Sequence, residues 1–334
     1  MTDTLATHPV VKIDQLTKQF DDYVAVNEVS LEIQPGEVYG LIGPNGAGKT
    51  TLIRLLAMAD SPTVGEISID GQRLLRDRPN AEIKRRIGYL PDDFPLYDDL
   101  SVKDYLEYFG QLYYLQPEQL KQRVTEVLAM VDLESKRNSL ISGLSRGMKQ
   151  RLSLARTVIH RPRLLLLDEP VSGLDPIARI DYCKTIRRLQ AEGITILISS
   201  HILSDLEDFC TTIGIMERGQ LVESGRLESL YQREGQQLLI TVLESDTRLK
   251  IFLEEHPFVQ TFEPIASEIA NETASEIASS ANRTQLSVTF TGSEDDAAEL
   301  LRVLVVEGVR VSEFYYTKET LEDIFVRLGY QQTA

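Results

Sequence analysis

Short apolar runs alternate with amphipathic stretches along residues 10–245. Several of the runs are apolar at every position, a pattern that favours strands covered by helices on both faces. The runs that predict strands are VVKID (10–14), EVYGLIG (37–43), LLLLDEP (164–170), ITILISS (194–200) and TIGIMERG (212–219). Apolar residues at helical spacing predict helices over 49–58, 102–113, 117–131 and 148–159. Strands and helices mixed in this order indicate an α/β core.

Two parts of the chain depart from this alternation. Residues 100–160 carry helical patterns only, so we predict a helical subdomain over about 93–160, within a first domain that spans 1–235. From about Gln237 the pattern predicts a small α+β C-terminal domain over 236–334, with the element order β-α-β-β-α-β.

A low-complexity insertion interrupts the C-terminal domain at 264–283. It contains ASEIA twice within 266–279, at a spacing of eight residues, and it is rich in Ala, Ser and Glu. Because such a composition buries little apolar surface, we predict an exposed insertion between strands, either mobile or loosely helical.

The composition is that of a folded protein, since 42% of the 334 residues are apolar and 26% are charged. No run approaches the roughly 18 consecutive apolar residues that a membrane-spanning helix needs. The first residues lack the basic and apolar regions of a signal peptide. Two cysteines, Cys183 and Cys210, cannot form a disulfide framework and fit a reducing compartment. We therefore expect a cytoplasmic protein.

The formal net charge of the chain is −16. Residues 238–334 hold 17 acidic and 7 basic side chains and so carry −10 of that charge. This balance argues against duplex nucleic acid or an anionic lipid surface as a broad partner, because both are negatively charged. A local basic pocket for one small anion remains compatible with it.

The segment GPNGAGKT at 43–50 fits the P-loop pattern of Gly, four residues and Gly-Lys-Thr. A predicted strand leads in and a predicted helix leads out, so that backbone N–H groups can surround phosphate oxygens at a helix N-terminus. Lys49 would neutralise the β- and γ-phosphates, and the Thr50 hydroxyl would bind Mg²⁺. The residues expected to hold the nucleotide are Gly43, Pro44, Asn45, Gly46, Ala47, Gly48, Lys49, Thr50 and Thr51.

The strand LLLLDEP at 164–170 ends in two acidic residues. Asp168 falls at the carboxyl edge of a buried strand, where ligands bind in open α/β sheets, and can hold Mg²⁺ through water. Glu169 is placed to polarise an attacking water as general base. An acidic turn after a strand is common by itself, but together with a P-loop it favours nucleotide hydrolysis.

Two further segments are ambiguous when taken alone. LSRGMKQR at 144–151 opens a predicted helix, where Ser145 and the backbone of Gly147 form either a second anion site or a plain helix cap. His201 directly follows a predicted strand in ISSHIL. A histidine in such a place more often packs or faces solvent than takes part in catalysis.

The segments GPNGAGKTT, LSRGMKQR, LLLLDEP, SGLDP (172–176) and SSHIL occur in the order and spacing of the ATP-binding cassette (ABC) ATPases. Over roughly residues 10–232 the chain therefore resembles this family. The resemblance implies a P-loop ABC ATPase core with a helical signature subdomain, ATP as the nucleotide and Mg²⁺ as the metal. In the family two cassettes dimerise head to tail. Each ATP lies between the P-loop of one cassette and the signature loop of the other, which is LSRGMKQR (144–151) in this chain.

The resemblance also implies roles for individual residues. Ser145 and Gly147 would contact the γ-phosphate of the partner's ATP. His201 would hold the γ-phosphate and the attacking water, and Asp175 lies in the loop that links the two sites. Phe20 occupies the position of the aromatic residue that stacks on adenine. Core packing is the alternative role for Phe20, and Tyr23 is the reserve candidate for stacking.

Two departures from the family's pattern concern the metal and the signature. Asp92 stands where the family has a Gln that contacts Mg²⁺ in a loop facing the permease. A carboxylate can also bind Mg²⁺, but its arm is shorter, so Asp92 is either a metal ligand or a solvent-facing carboxylate. Arg146 and Met148 replace the commoner Gly and Gln of the signature, whereas Ser145 and Gly147 are kept.

The cassette is similar to the ATP-binding subunits of type 2 bacterial exporters, and the ending TLEDIFVRLGY (320–330) is similar to the close of their small C-terminal domain. This similarity implies an ATP hydrolase that powers a separate transmembrane permease. It would act as a homodimer, or as a heterodimer with a related cassette, peripheral on the inner face of the cell membrane, without nucleic acid as a partner. The C-terminal domain either stabilises the dimer, which we favour, or has a regulatory role.

Three other functions stay open at this point: a soluble ABC ATPase with a non-transport partner, an importer subunit with a regulatory tail, and a binding subunit without hydrolysis. A single cassette, the lack of a heptad run and the negative charge argue against the first. The absence of Gly-Gly-Gln from the signature and the short tail argue against the second. The third is opposed by the residues of the expected hydrolytic site, namely Lys49, Thr50, Asp168, Glu169 and His201.

Overall fold

The computed structural model of the chain describes residues 8–75, 80–202, 204–207, 209–231, 236–243, 247–264 and 283–317. The chain divides into two compact units, with the boundary between Leu227 and Glu228. Across the described ranges, no helix has both the length and the apolar character needed to cross a bilayer. The ASEIA repeat at 266–279 and the ending at 320–330 lie outside the described residues.

The first unit mixes strands and helices, as the hydrophobic pattern predicts. Its elements are β1 (Val11–Phe20), β2 (Tyr23–Ile33), β3 (Val38–Ile42), α1 (Lys49–Leu56), β4 (Val64–Ile69), β5 (Gln72–Arg73), α2 (Ala81–Lys84), β6 (Ile87–Leu90), α3 (Val102–Leu112), α4 (Pro117–Met130), α5 (Arg146–Val158), β7 (Leu164–Leu167), α6 (Pro176–Ala191), β8 (Thr195–Ser200), α7 (Ser204–Glu207), β9 (Thr212–Glu217) and β10 (Gln220–Arg226). A short helix, α8 (Leu227–Tyr231), begins at the boundary between the units.

A sheet with the strand order β10-β9-β3-β8-β7-β6 carries the chemistry-bearing loops of the first unit. All pairs from β9 to β6 are parallel, and β10 is antiparallel to β9. The residues of β3, β7 and β8 are buried throughout, as continuous apolar runs predict for strands covered on both faces. Because neighbouring parallel strands end at the same edge, the segments after β3, β7 and β8 meet there.

A second, antiparallel sheet packs against helix α1. Its strand order is β2-β1-β4-β5. Strand β1 extends to Phe20, beyond the predicted 10–14, because it pairs with β2 on one side and β4 on the other. Leu52, Ile53 and Leu56 of α1 are fully buried in a core shared with both sheets. This packing fixes the helix that follows the P-loop.

The helices α3, α4 and α5 pack against one another within the region predicted to be helical. Buried side chains of α3 and α4, such as Leu106 and Val127, supply their contact faces. Helix α5 begins earlier than the apolar spacing predicts, because Ser145 caps it and Oγ accepts a hydrogen bond from the N–H of Met148 at 3.3 Å.

The second unit has the element order β-α-β-β-α-β that the sequence predicts. Its elements are β11 (Gln236–Val242), α9 (Thr247–Glu255), β12 (Val259–Pro264), β13 (Thr284–Phe290), α10 (Glu294–Val306) and β14 (Val311–Thr317). The sheet is antiparallel, with the order β12-β13-β11-β14, which is the ferredoxin-like arrangement. Leu253 of α9 and Leu300 of α10 belong to its own buried core.

Candidate nucleotide-binding site

The loop between β3 and α1 borders a cavity of about 200 Å³. Gly48, the residue before α1, has a φ of 100°, which glycine adopts without steric cost. A Cβ at Gly48 would lie 2.3 Å from the carbonyl oxygen of Ala25, so only glycine allows this close approach. The cavity is lined by Tyr23, Ala25, Asn45, Gly46, Ala47, Gly48, Lys49, Thr50, Thr51 and Glu169. Backbone N–H groups and the helix dipole at the start of α1 favour an anion here.

Lys49 supplies a positive charge to this cavity. The residue is only 5% exposed, and Nζ donates hydrogen bonds to the carbonyl oxygens of Gly43 at 2.7 Å and Pro44 at 3.2 Å. Nζ also lies 3.4 Å from Oε1 of Glu169. A buried ammonium group is costly unless it is paired, so this group favours a phosphate as a stronger partner than a carbonyl.

Asp168 and Thr50 bring oxygen atoms together at the edge of the sheet. Asp168 follows β7, is 1% exposed, and its Oδ1 accepts a hydrogen bond from Thr50 Oγ1 at 3.2 Å. Burial raises the pKa of the Asp168 carboxyl, and the charges of Glu169 and Asp92 add to this effect, while hydrogen bonds from Ser199 and Thr50 oppose it. A hydroxyl beside a carboxylate suits Mg²⁺, which prefers oxygen ligands and completes its shell with substrate phosphates and water. In the described parts of the chain no group of three His, Cys, Asp or Glu side chains is arranged to hold a metal ion.

Glu169 and His201 form a hydrogen-bonded pair beside the cavity. His201 Nδ1 contacts Glu169 Oε2, and the Glu169 side chain is 16% exposed against 38% for His201. The backbone of Glu169 has a φ of 46°, a left-handed conformation that is unfavourable for residues other than glycine. Strained backbone of this kind persists where the surroundings hold it, and functional sites are a common place for it.

Asp92 lies two residues after the end of β6, at the same edge as Asp168, because β6 and β7 are parallel neighbours with Leu90 paired to Leu167. The side chain of Asp92 is exposed, and its charge acts on the pKa of Asp168. The structure thus brings Asp92 near the carboxylate of the site, on its solvent side.

Phe20 and Tyr23 face each other across the turn between β1 and β2. Tyr23 lines the cavity, and its OH donates a hydrogen bond to the carbonyl oxygen of Gly46 at 3.2 Å. Phe20 is 44% exposed, and Lys18 Nζ lies 4.6 Å from the centre of its ring. Directly paired residues project from the same face of a sheet, so Phe20 and Tyr23 share a face, and the lining of the cavity includes Tyr23 but not Phe20.

The start of α5 and the start of α6 lie side by side, apart from the P-loop cavity. Asp175 caps α6, with Oδ1 accepting from the N–H of Ala178 at 2.9 Å. A Cβ at Gly147 would lie 2.8 Å from the Cβ of Ala178, so the helices touch at this glycine. Arg146 Nη2 donates to the carbonyl oxygen of Ser172 at 3.2 Å, which joins the signature to the loop before Asp175.

The structure therefore brings together the P-loop, Asp168, Glu169 and His201, and it places Ser145, Gly147 and Asp175 at a second location in the same unit. Sequence reasoning missed Ser199, whose Oγ donates to Asp168 Oδ1 at 2.7 Å and accepts from the N–H of Glu169 at 2.9 Å. Ser199 could have been identified from the sequence by its hydroxyl near the end of a predicted strand, if that strand had been placed next to the strand that precedes Asp168.

A family model described as ABC transporter matches residues 26–172. Over 320 residues, the chain is 33% identical to the ABC transporter ATP-binding protein YxlF of Bacillus subtilis, covering 96% of the chain and 99% of that protein. It is 31% identical to the bacitracin transport ATP-binding protein BcrA of Bacillus licheniformis, covering 96% and 97%. It is 35% identical to the Nod factor export ATP-binding protein I of Cupriavidus metallidurans, covering 67% and 74%.

Solved structures show the same fold. The chain is similar to the cbiO1 protein of Clostridium perfringens, part of an ABC transporter complex, with a TM-score of 0.63, 27% identity and coverage of 68% of the chain and 92% of that structure. It is also similar to a dimeric ATP-binding cassette in a post-hydrolysis state bound to ADP and phosphate, with a TM-score of 0.59, 27% identity and coverage of 65% and 98%. These similarities confirm the expected P-loop ABC ATPase fold.

Proposed function

The chain belongs to the ABC transporter family as an ATP-binding, ATP-hydrolysing subunit, and from this premise we propose that it powers an exporter through a separate permease. The observation that carries the hydrolytic part of the proposal is the meeting of Lys49, Asp168 and Glu169 at one edge of the parallel sheet. ATP hydrolysis requires a cation that binds the phosphates, oxygen ligands that bind a metal ion and a carboxylate that acts as the base, and this site contains all three.

In this proposal each side chain has one task. Lys49 exchanges its carbonyl partners for the β- and γ-phosphates, which the backbone of residues 43–51 surrounds. Glu169 accepts a proton from the attacking water, and His201, already bonded to Oε2, orients that carboxylate and the γ-phosphate.

Thr50 and Asp168 would hold Mg²⁺, with Asp92 as an outer ligand; the ion would offset negative charge on the phosphates. Phe20 would stack on the adenine.

The second location, at Ser145, Gly147 and Asp175, would serve the ATP of a partner cassette. Two features support this role: these residues do not line the P-loop cavity of the described chain, and the start of α5 presents a hydroxyl and backbone N–H groups suited to phosphate. A similar cassette forms a dimer. We propose a homodimer or a heterodimer with a related cassette, in which binding of two ATP closes the pair and hydrolysis reopens it.

The direction and place of transport are inferred from relatives. One relative is named for Nod factor export, and this name supports export as the direction; another, named for bacitracin transport, spans nearly the whole chain and supports transport. The proposal places the subunit at the inner face of the cell membrane, held there by the permease. We further propose a domain boundary near 235–236, with the C-terminal domain stabilising the dimer; a separate buried core in the second unit supports its independence.

Replacing Glu169 by glutamine tests the hydrolytic part of the proposal. Removal of the general base should lower ATP turnover by roughly 10²- to 10⁴-fold while ATP still binds, so ATP-dependent dimers should persist in size-exclusion chromatography with light scattering. Glu134→Gln, at an exposed position in the same unit, is the matched control and should leave turnover unchanged. Unchanged turnover in Glu169→Gln would remove Glu169 from the role of base.

A further inference from the structure

Ser199 links the two acidic residues that the proposed reaction uses. The residue is fully buried at the end of β8. Its Oγ donates a hydrogen bond to Asp168 Oδ1 at 2.7 Å and accepts one from the backbone N–H of Glu169 at 2.9 Å. Because a serine hydroxyl has one proton and two lone pairs, it can form both bonds at once. One buried side chain thus touches both members of the acidic pair.

The register of the sheet puts Ser199 in this position. Strands β7 and β8 are parallel with Leu167 paired to Ile198, so the next residues along, Asp168 and Ser199, are also neighbours. On its other side Ser199 pairs with Leu41 of β3, the strand that leads into the P-loop. Ser199 therefore lies between the strand of the phosphate site and the strand of the acidic pair.

The bond to Asp168 fixes the orientation of that carboxylate. Both Thr50 Oγ1 and Ser199 Oγ donate to Oδ1. Across the described residues no hydrogen bond ends on Oδ2, which makes Oδ2 the oxygen offered to an ion or its water. A carboxylate held through one oxygen by two donors has little freedom to rotate, and this preorganises the other oxygen.

The bond to Glu169 fixes the backbone that carries the base. Glu169 has a φ of 46°, so its peptide group is held in a conformation that non-glycine residues avoid. The N–H of Glu169 is satisfied by Ser199 Oγ rather than by a strand partner. This bond favours the left-handed backbone, which in turn directs the Glu169 side chain toward Lys49 and His201.

We propose that Ser199 is a positioning residue that sets the geometry of the metal-binding carboxylate and of the general base together. The inference rests on the proposed function, in which Asp168 holds Mg²⁺ and Glu169 activates water. It adds a residue to the site that does not line the nucleotide cavity and acts through its bonds to Asp168 and Glu169.

The test compares Ser199→Ala with Ser200→Ala in the full-length protein. Ser200 is the matched control because it is also buried, but among the described residues its Oγ bonds to the backbone of Ile202 alone, donating to O at 3.0 Å and accepting from N at 2.9 Å. Binding of a fluorescent ADP analogue is titrated at increasing Mg²⁺, and kcat and KM for ATP are measured separately. Circular dichroism establishes that each variant is folded.

Ser199→Ala should raise the Mg²⁺ concentration for half-maximal nucleotide binding about tenfold or more, the effect expected from losing one hydrogen bond to an ionised carboxylate. It should lower kcat by at least the same factor, with nucleotide affinity in the absence of Mg²⁺ unchanged within about twofold. Ser200→Ala should change none of these. If Ser199→Ala failed to fold, Ser199→Cys, which keeps the side chain's shape with a weaker donor, should shift the Mg²⁺ requirement in the same direction.

Asp168→Asn separates a failure of this inference from a failure of the proposed function. If Asp168→Asn raises the Mg²⁺ requirement while Ser199→Ala behaves as Ser200→Ala does, Ser199 has no positioning role and the metal assignment stands. If Asp168→Asn leaves the Mg²⁺ dependence unchanged, the metal assignment fails, and the role of Ser199 falls with it.

Discussion

At the scale of single residues, the site depends on a few charged groups that neutralise one another. Lys49 lies between two backbone carbonyls and the carboxylate of Glu169, whose other oxygen is bonded to His201. In this network each charged group has a hydrogen-bond or ionic partner. The pairing matters because an unpaired charge in a largely buried region has a high free energy. A phosphate that enters can replace the neutral carbonyl partners of Lys49 by a charged one, which forms a stronger hydrogen bond.

Lys49→Ala should abolish tight ATP binding, a loss of roughly a hundredfold, because one charge-assisted hydrogen bond to an anion is worth up to about 3 kcal/mol. Isothermal titration calorimetry with ATP measures the dissociation constant. Lys121→Ala, at an exposed lysine of α4, is the control and should bind as the unmodified chain does. An unaffected dissociation constant for Lys49→Ala would contradict the assignment of residues 43–51 as the phosphate site.

At the scale of elements, the arrangement of strands explains why distant motifs meet. The P-loop, the acidic pair and His201 follow β3, β7 and β8, which are neighbours in the parallel sheet. The signature helix α5 and the helix after Asp175 instead begin side by side, joined by the contact of Gly147 with Ala178. Helix packing thus couples the two loops proposed to face a partner cassette.

Gly147→Ala should destabilise the fold by about 1–3 kcal/mol, because the added methyl group overlaps the Cβ of Ala178 in a packed contact. The double variant Gly147→Ala with Ala178→Gly moves the methyl group across the contact and should recover part of that stability. Gly143→Ala is the control, since a Cβ there meets no atom within 4 Å. Urea unfolding measures all of them. Equal stabilities for Gly147→Ala and Gly143→Ala would show that the helices do not touch at this point.

His160, two residues after α5, should make stability depend on pH. Its Nε2 bonds to the carbonyl oxygen of Ile87, its ring stacks on Tyr113, and burial lowers its pKa from 6.5 to about 4. Below pH 6.5 the unfolded chain gains a proton that the folded chain does not, so stability is present above pH 6.5 and lost as pH falls toward 4.

Between pH 7 and pH 5 the unmodified chain should therefore lose about 2 kcal/mol more unfolding free energy than His160→Gln, because each pH unit below 6.5 costs about 1.4 kcal/mol. Urea unfolding at the two pH values provides the measurement. His8→Gln, at an exposed histidine, is the control and should keep the slope of the unmodified chain. The same slope in His160→Gln would show that His160 is not held neutral in the fold.

The sequence was sufficient to predict those features that arise from local pattern. Apolar runs predicted β3, β7 and β8, and glycine and lysine spacing predicted the phosphate loop at the start of α1. The full length of β1 depends on pairing with β2 and β4, which no local pattern contains. Ser199 escaped notice for the same reason, since its role requires knowing that β7 and β8 are neighbours and in which register.

At the scale of the whole molecule, the negative charge is concentrated toward the C-terminal end of the chain, and the second unit is organised around its own core. The net charge is −16, of which residues 238–334 carry −10, yet the cavity at the P-loop contains a buried lysine. The second unit has a hydrophobic core of its own, and helix α10 starts with a capping box between Ser293 and Asp296. These features support a nucleotide-driven subunit with an appended small domain.

A pull-down of the tagged chain from detergent-solubilised native membranes, with co-purifying proteins identified by mass spectrometry, tests whether the subunit powers a transporter. We expect a stoichiometric polypeptide with several membrane-spanning segments, whose own sequence would then indicate the cargo and the direction of transport. Recovery of the chain with ribosomes, with nucleic acid or with no membrane protein would contradict the exporter proposal, although the chain would remain an ATPase.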